Sequence, residues 1–336
     1  MKTKYIDEGS YGCVIKPAIE CSNLKIKRRN TIAKLFKEKK YYLGEIKNYN
    51  KISNILKDKN LIVNLKSYCK KKISEYDKVT YKKCLETFNG DSEQIIYQII
   101  YEYGGINLWF LFSNYDITFK KVFLSLDNIF KTIIILNKNN YLHQDIRPPN
   151  ILYLKNSVKL IDYGLLIKRN EFNDYLLFHK KKENYQYPPE LNSKNYYSLY
   201  EYIMSKSTNK MNDNNNKYMN YIYMCLNKIV KDYYNSNTTN NKIDLGKHDI
   251  YMFGIVLLDI LVDSIRLNKL NLNLNNLKLI FKFITKIIDT NTKNRYSPEK
   301  AYTVYKKIVK NIKKTPPERI ELSTSGLEGQ RSIQLS

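Results

Sequence analysis

Tryptophan, histidine and cysteine are scarce in this chain. Its 336 residues include one tryptophan, three histidines and five cysteines. The cysteines lie at irregular positions, which are Cys13, Cys21, Cys69, Cys84 and Cys225. They form neither the paired spacing of a zinc site nor an even set for a closed disulfide framework. We therefore expect no cysteine–histidine metal site and a reducing, intracellular compartment.

Long apolar runs are also missing. Residues 1–8 lack the apolar core of a signal peptide, and the longest apolar run, residues 251–258, is too short to span a bilayer. A length of 336 residues exceeds what one hydrophobic core fills comfortably. The sequence therefore predicts a soluble protein with two lobes and no membrane contact.

Negative charge is scarce relative to positive charge. Lys and Arg number 57 against 32 Asp and Glu, and the formal net charge is +25. Such a charge would suit a nucleic-acid or anionic-membrane partner. The lysines are spread along the chain, however, and the tightest basic cluster, residues 25–29, lies in a predicted surface loop. We favour a solvated surface over a nucleic-acid site, and we expect acidic protein substrates to be attracted to it.

The densest group of candidate catalytic residues lies between positions 143 and 164. The chain reads HQDIRPPN, then an apolar run, then IDYG. Two short apolar segments around a turn-like break predict a hairpin that ends beside the polar loop. Asp145, Asn150 and Asp162 would then supply a carboxylate that orients a hydroxyl and oxygen ligands for Mg²⁺ on phosphates.

This segment resembles the catalytic and metal-binding loops of eukaryotic-type protein kinases. Together with GSYGCVIKP, YEYGG and YPPE elsewhere, it is most similar to the serine/threonine kinases of giant and other large DNA viruses. The resemblance implies an α+β, bilobal protein-kinase-like fold, with a small β-rich N-terminal lobe and a larger, mainly helical C-terminal lobe with a helical insertion. It also implies a location in the host cytoplasm or the virion.

The resemblance assigns nucleotide contacts to the N-terminal part. Residues 6–14 resemble the glycine-rich turn that covers the phosphates, with Asp7 in place of the first glycine. Residues 95–105 resemble the hinge between lobes, with Tyr101 as gatekeeper. The implied ATP-binding residues are Gly9, Ser10, Tyr11, Gly12, Val14, Ala33, Lys34, Glu102 and Gly104.

A lysine and a glutamate are expected to pair near the phosphates. Lys34 is preferred to Lys16 and Lys37 because it lies inside an apolar run, where a charged side chain needs a partner. Glu45, on the predicted following helix, is preferred to Glu38 as that partner.

The implied catalytic roles follow from the same resemblance. Asp145 would orient the substrate hydroxyl and accept its proton, and Arg147 would steady the γ-phosphoryl group. Asn150 and Asp162 would bind Mg²⁺ or Mn²⁺. The candidate catalytic residues are Asp145, Arg147, Lys34 and Glu45, and the cofactors are ATP and Mg²⁺.

Three later segments match the family in order. Residues 187–190 resemble the end of the activation segment, Asp249 would cap the catalytic-loop backbone, and Arg295 would pair with Glu190. Gln144 stands where the family has an arginine that holds a phosphorylated activation segment. We therefore expect constitutive activity.

The implied boundaries are an N-lobe with hinge at residues 1–104 and a C-lobe at 105–314. The C-lobe contains an insertion at about 191–248, where an apolar stripe from Tyr218 to Tyr233 predicts a helix. We favour a packed helix over a docking helix. Residues 315–336 lack Lys, Asn, Tyr and Phe and are treated as an atypical, disordered tail.

The expected function is transfer of the ATP γ-phosphoryl group to serine or threonine of proteins. Two alternatives stay open: a pseudokinase that acts as a nucleotide-binding scaffold, and a kinase with tyrosine or dual specificity. The sequence leaves the oligomeric state open.

Overall fold

The protein combines a small antiparallel sheet with a mainly helical part, so its fold class is α+β, as predicted. This architecture comes from a computed structural model. The structure describes residues 4–9, 12–19, 21, 30–76, 84, 93–172, 186–191, 194–206, 213–235 and 244–314.

The sheet consists of five strands, which are β1 (Lys4–Gly9), β2 (Gly12–Lys16), β3 (Thr31–Phe36), β4 (Leu65–Lys72) and β5 (Ile95–Glu102). Their order across the sheet is β1-β2-β3-β5-β4, and every neighbouring pair is antiparallel. Side chains alternate between the two faces of a strand. In β3, Ala33 and Leu35 are buried against one face, and Lys34 lies on the other.

Helix α1 (Lys39–Leu56) covers the face of the sheet that carries Lys34. Its buried Tyr42 packs with Phe36 and Ile99, which come from β3 and β5. At its far end, Ile52 and Leu56 pack against the helical part of the molecule. The predicted helix is therefore confirmed, and it contacts both parts of the fold.

Four of the five cysteines are paired, which corrects the expectation from their spacing. Cys13 and Cys84 form one disulfide, and Cys21 and Cys69 form another. The Cα atoms of each pair are 5.8 Å apart, as a disulfide requires. The partners are 71 and 48 residues apart in sequence, so the sheet and not the local spacing brings them together. A reducing compartment no longer follows from the cysteines.

The helical part packs around one central helix, α7 (His248–Arg266), which is buried along most of its length. The other helices are α2 (Leu108–Asn114), α3 (Phe119–Phe123), α4 (Asp127–Lys138), α5 (Lys194–Ser205), α6 (Asp213–Asn235), α8 (Leu274–Ile287) and α9 (Pro298–Lys314). Phe130 of α4 contacts two other helices, because its ring lies 5.2 Å from that of Phe253 in α7 and 4.7 Å from that of Tyr305 in α9.

Two small sheets of short strands position the segment that carries the candidate catalytic residues. Strands β6 (Ile106–Asn107), β8 (Ile151–Leu154) and β9 (Ser157–Leu160) form an antiparallel sheet, and β8 and β9 are the predicted hairpin. Strands β7 (Tyr141–Leu142) and β10 (Ile167–Lys168) form the second sheet. The polar loop of residues 143–150 lies between β7 and β8.

The insertion contains two helices, α5 and α6, where the sequence predicted one. Met219, Ile222 and Leu226 of α6 are buried in the same core as α7. Lys206, just after α5, forms ion pairs with Asp259 and Asp263 of α7. These contacts support the packed-helix interpretation.

Some predicted features lie outside the described residues. They are the basic cluster 25–29, the side chains of Ile229, Val230 and Tyr233, and the tail 315–336. Among the residues that are described, no helix is long and apolar enough to cross a membrane.

Candidate active site

Asp249, the second residue of α7, accepts hydrogen bonds from the backbone of the polar loop. The backbone N–H of His143 donates to Asp249 Oδ2 at 2.7 Å, and that of Gln144 donates to Oδ1 at 3.2 Å. Burial alone would raise the pKa of Asp249. The hydrogen bond and charge of His248, together with the hydrogen bond from the His143 N–H, outweigh the effect of burial, so the pKa of Asp249 is lowered. The predicted cap is present, and Asp249 is held ionised.

Asp145 is fixed by two neighbours within the loop. Asn150 Nδ2 donates to the Asp145 carbonyl at 2.9 Å and to its Oδ2 at 2.7 Å, and Arg147 Nε lies 3.1 Å from its Oδ1. Burial raises the pKa of Asp145, and the opposing effects of Arg147 and Asn150 do not cancel this rise. A raised pKa makes a carboxylate a better proton acceptor. The loop therefore presents a positioned, comparatively basic carboxylate.

His143 connects the loop to the strand that leads to Asp162, a role that sequence reasoning did not assign. Its Nε2 lies 3.2 Å from Ile161 O, and the Asp145 N–H points to its Nδ1 at 3.3 Å. Both contacts are satisfied when Nε2 carries the proton and Nδ1 accepts. Burial lowers the pKa of His143, which favours this neutral form. His143 thus links the loop that carries Asp145 to the segment that carries Asp162.

Asp162 follows β9 by two residues, at the predicted end of the hairpin. Its backbone is left-handed, with φ of 62°, and its Oδ1 accepts a hydrogen bond from the Gly164 N–H at 3.3 Å. The preceding Ile161 N–H donates to Asn150 O at 2.9 Å. The backbone of the hairpin therefore places the carboxylate of Asp162 beside the loop that carries Asn150, with the side chain exposed.

The expected lysine–glutamate pair is present, and it joins β3 to α1. Lys34 Nζ of β3 donates to Glu45 Oε2 of α1 at 3.0 Å, and the two side chains are 27% and 23% exposed. Burial would lower the pKa of Lys34, but the negative charges of Glu45 and Asp162 raise it overall. The influence of Asp162 on Lys34 places the sheet and the hairpin at one electrostatic site.

The strand that leads into the predicted hinge makes side-chain contacts that the sequence did not reveal. The Glu102 N–H donates to Asn64 O at 2.9 Å, so an adenine contact by Glu102 would have to use its carbonyl group. Lys159 Nζ, from β9, donates to Glu102 Oε1 at 2.9 Å and to Ile62 O at 2.8 Å. Lys159 thereby joins the hairpin to the sheet.

Gly104 lies where the chain passes between the sheet and the helices. A Cβ atom there would come within 2.6 Å of the Leu152 side chain and 2.7 Å of the Val63 side chain. A larger residue at position 104 would therefore have to displace these two side chains. Leu152, which the sequence analysis did not select, lies beside the predicted hinge.

The position of Ala33 corrects one predicted ATP contact. Ala33 is fully buried with Ile15 and Ile100 on the face of the sheet opposite Lys34. Because side chains alternate, Ile32 lies on the same face as Lys34 and is partly exposed. Ile32, and not Ala33, is therefore the neighbour of Lys34 on this face of the sheet.

Other predicted ATP contacts are only partly described. Val14 is opposite Lys34 in the β2–β3 register and is partly exposed on the same face. Gly9 and Gly12 are paired at the end of the β1–β2 hairpin. A Cβ atom on Gly12 would come 1.9 Å from Leu35 O, so this glycine permits close approach of strands. Ser10 and Tyr11 lie outside the described residues.

The predicted Glu190–Arg295 pair is present and almost completely buried. Arg295 Nη1 and Nη2 donate to Glu190 Oε1 and Oε2 at 2.6 and 2.8 Å, and the side chains are 0% and 1% exposed. Arg295 Nε also donates to Asp289 O at 2.8 Å. The pair fixes the end of the segment that follows the candidate catalytic residues.

The side chains of the site offer few ligands for a metal ion. Within the described parts of the chain, no group of three or more His, Cys, Asp and Glu side chains could hold a metal. Mg²⁺ on a nucleotide needs few protein ligands, because phosphate and water oxygens complete its octahedral shell. The Asp162 carboxylate and the Asn150 amide oxygen are hard ligands of that kind, so these residues fit Mg²⁺.

The comparisons with known proteins give no family assignment. No protein-family model matches the chain, and no curated protein is significantly similar to it.

Proposed function

We propose that this chain is a bilobal, Mg·ATP-dependent protein kinase that phosphorylates serine or threonine of protein substrates. The observation that carries the proposal is the convergence of two segments on one site. Lys34 and Glu45 come from the sheet and α1, whereas Asp162 follows the hairpin, next to Tyr163, which packs in one cluster with Ile52 of α1. The negative charges of Glu45 and Asp162 together raise the pKa of Lys34. Phosphoryl transfer depends on such positioned charges more than on covalent chemistry.

In the proposed reaction, Lys34 binds the α- and β-phosphates while Glu45 keeps its ammonium group oriented. Asp145 accepts a hydrogen bond from the substrate hydroxyl and takes its proton as the oxygen attacks the γ-phosphorus. The bond between the γ-phosphorus and the bridging oxygen of the β-phosphate breaks in the same step, and ADP leaves. The raised pKa of Asp145 suits this step. Arg147, 3.1 Å from Asp145, is placed to balance charge on the transferring group.

Asn150 and Asp162 would hold Mg²⁺. When bound, the ion supplies charge neutralisation to the phosphate oxygens. The left-handed turn at Asp162 and the hydrogen bonds of Asn150 orient these two side chains before any ligand binds.

Independence from activation-segment phosphorylation is part of the proposal. Gln144 is buried where a phosphate-binding arginine would be needed, and it carries no charge. The start of the segment is already ordered, because β10 pairs with β7. Residues 173–185 of this segment are outside the described residues. Activity that disappears on phosphatase treatment would contradict this part.

The test is transfer from labelled ATP to a mixed peptide library, with identification of the modified amino acid. Asp162→Asn should abolish Mg²⁺-dependent transfer, because the substitution removes the carboxylate charge from the metal site. Asp116→Asn, at an exposed position in the connection between α2 and α3, is the matched control and should retain activity.

Each other outcome has a defined meaning. ATP binding without transfer in the wild-type protein would indicate a nucleotide-binding scaffold. Phosphotyrosine as the main product would overturn the serine/threonine specificity. Normal turnover in folded Asp162→Asn would reject the metal site.

A further inference from the structure

Tyr101 lies at the centre of the contact between the sheet and α1. Its hydroxyl donates to Glu45 Oε1 at 3.1 Å, while Lys34 Nζ donates to Glu45 Oε2 at 3.0 Å. The two oxygens of one carboxylate therefore have two different donors. Tyr49, one helical turn after Glu45, meets the Tyr101 ring edge-on with centroids 6.1 Å apart.

The phenol is suited to be a permanent hydrogen-bond donor. Burial, and next the negative charge of Glu45, raise the pKa of Tyr101 well above its ordinary value. The hydroxyl thus keeps its proton throughout the neutral and mildly alkaline range. A hydrogen bond to an ionised acceptor is stronger than one between neutral groups.

Glu45 lies in the part of α1 between the buried residues that attach the helix to the rest of the protein. The helix begins after Glu38, whose side chain makes no capping hydrogen bond, and its first turn has no acidic residue. The buried anchors of α1 are Tyr42 near its start and Ile52 and Leu56 near its end. The Tyr101 hydroxyl attaches the segment between these anchors to β5.

We propose that Tyr101 is a positioning residue that holds Glu45, and through it Lys34, in the phosphate-binding arrangement before nucleotide binds. This inference rests on the proposed function. Lys34 and Glu45 are 27% and 23% exposed, so water competes for their ion pair. The second donor keeps the Glu45 carboxylate turned toward Lys34 and away from solvent.

The first test is the kinetics of Tyr101→Phe, which removes the hydroxyl and keeps the ring. The KM for ATP should rise about 10-fold, which corresponds to about 1.4 kcal/mol and to one hydrogen bond with a charged group. Because Asp145 is untouched, kcat should change much less than KM. Tyr68→Phe is the matched control, since Tyr68 is an exposed tyrosine of the same sheet. An unchanged KM in Tyr101→Phe overturns the proposal.

The second test asks whether the hydroxyl acts through Glu45. In a Glu45→Ala background, Tyr101→Phe should cause no further change in kcat/KM for ATP. An equal loss in both backgrounds would show an effect independent of Glu45 and would overturn the proposal.

The third test needs no nucleotide and separates this inference from the proposed function. Hydrogen exchange of the amides in residues 39–49 should be faster in Tyr101→Phe than in the wild type or Tyr68→Phe. Unchanged exchange rejects the Tyr101–Glu45 restraint even if the protein is a kinase. If the wild type does not bind ATP, the proposed function fails and the positioning role fails with it, whatever the exchange result.

Discussion

Breaking the buried Arg295–Glu190 pair should strongly destabilise the helical part. Arg295→Met keeps an apolar stem but removes the two hydrogen bonds to Glu190 and the one to Asp289 O. It leaves Glu190 as a buried charge, because the Glu190 side chain is 1% exposed. Removal of one partner from a buried ion pair costs about 3–5 kcal/mol.

The corresponding change in melting temperature can be worked out. Unfolding entropy is ~2.1 cal/mol/K per residue, so roughly 300 residues give about 0.6 kcal/mol/K for a single transition. The expected loss then lowers the Tm by roughly 5–8 °C. Differential scanning calorimetry on the purified full-length chain measures this shift directly.

Lys72→Met is the control for this measurement. The Lys72–Glu93 pair has the same 2.6 Å separation, but its side chains are 55% and 65% exposed. Exposed pairs contribute about 0–1 kcal/mol, so its Tm should fall by less than about 2 °C. Equal shifts in the two variants would refute the argument from burial.

A double substitution examines the cause of the loss. Glu190→Gln combined with Arg295→Met leaves no buried charge, so part of the lost Tm should return. A double variant less stable than Arg295→Met would show that the uncompensated carboxylate is not the main cost. Arg295→Lys should not restore the wild-type Tm, because an ammonium group cannot reproduce the planar, three-bond contact.

Two further predictions concern Asp145, which lies in the loop, and Asp249, which accepts hydrogen bonds from the loop backbone. Asp145→Asn should slow turnover by roughly 10²–10⁴-fold while nucleotide binding persists. Burial raises the pKa of Asp145, so the ionised carboxylate destabilises the folded protein at pH values above that pKa. Replacement by the neutral amide should therefore not lower the Tm at pH 7, and a clear decrease of the Tm in calorimetry would contradict this. Asp249→Asn should cost about 1–3 kcal/mol of folding free energy, because the amide NH₂ group that replaces one carboxylate oxygen cannot accept a hydrogen bond, so the N–H group of His143 or of Gln144 loses its acceptor. Because the pKa of Asp249 is lowered in the folded protein, its carboxylate stabilises the fold at pH values above the unfolded-state pKa. The Tm difference between Asp249→Asn and the wild type should therefore shrink as the pH falls through the folded-state pKa. A Tm difference that does not depend on pH would argue against an ionised Asp249.

Several elements followed from the sequence because local chemistry determines them. The hairpin that ends at Asp162 was predictable from two short apolar segments and a turn. The Lys34–Glu45 pair was predictable because a lysine inside an apolar strand needs an anionic partner. Asp249 and the Glu190–Arg295 pair were placed by resemblance, and the contacts expected of them are present.

Other features depended on which face of a strand each residue occupies. The resemblance predicted that Ala33 contacts the nucleotide. The pairing of β2, β3 and β5 instead buries Ala33 on the face of the sheet opposite Lys34, and Ile32 lies beside Lys34. A shift of one residue along a strand reverses the face of a side chain. Only the paired sheet determines this choice.

Contacts between distant segments were decided by the tertiary structure alone. The disulfides Cys13–Cys84 and Cys21–Cys69 join positions whose sequence spacing has no recognisable pattern. The Tyr101–Glu45 hydrogen bond joins residues 56 positions apart, on a strand and a helix. Sequence patterns report the preferences of neighbouring residues, whereas such pairs form only when packing has fixed the position of one element against another.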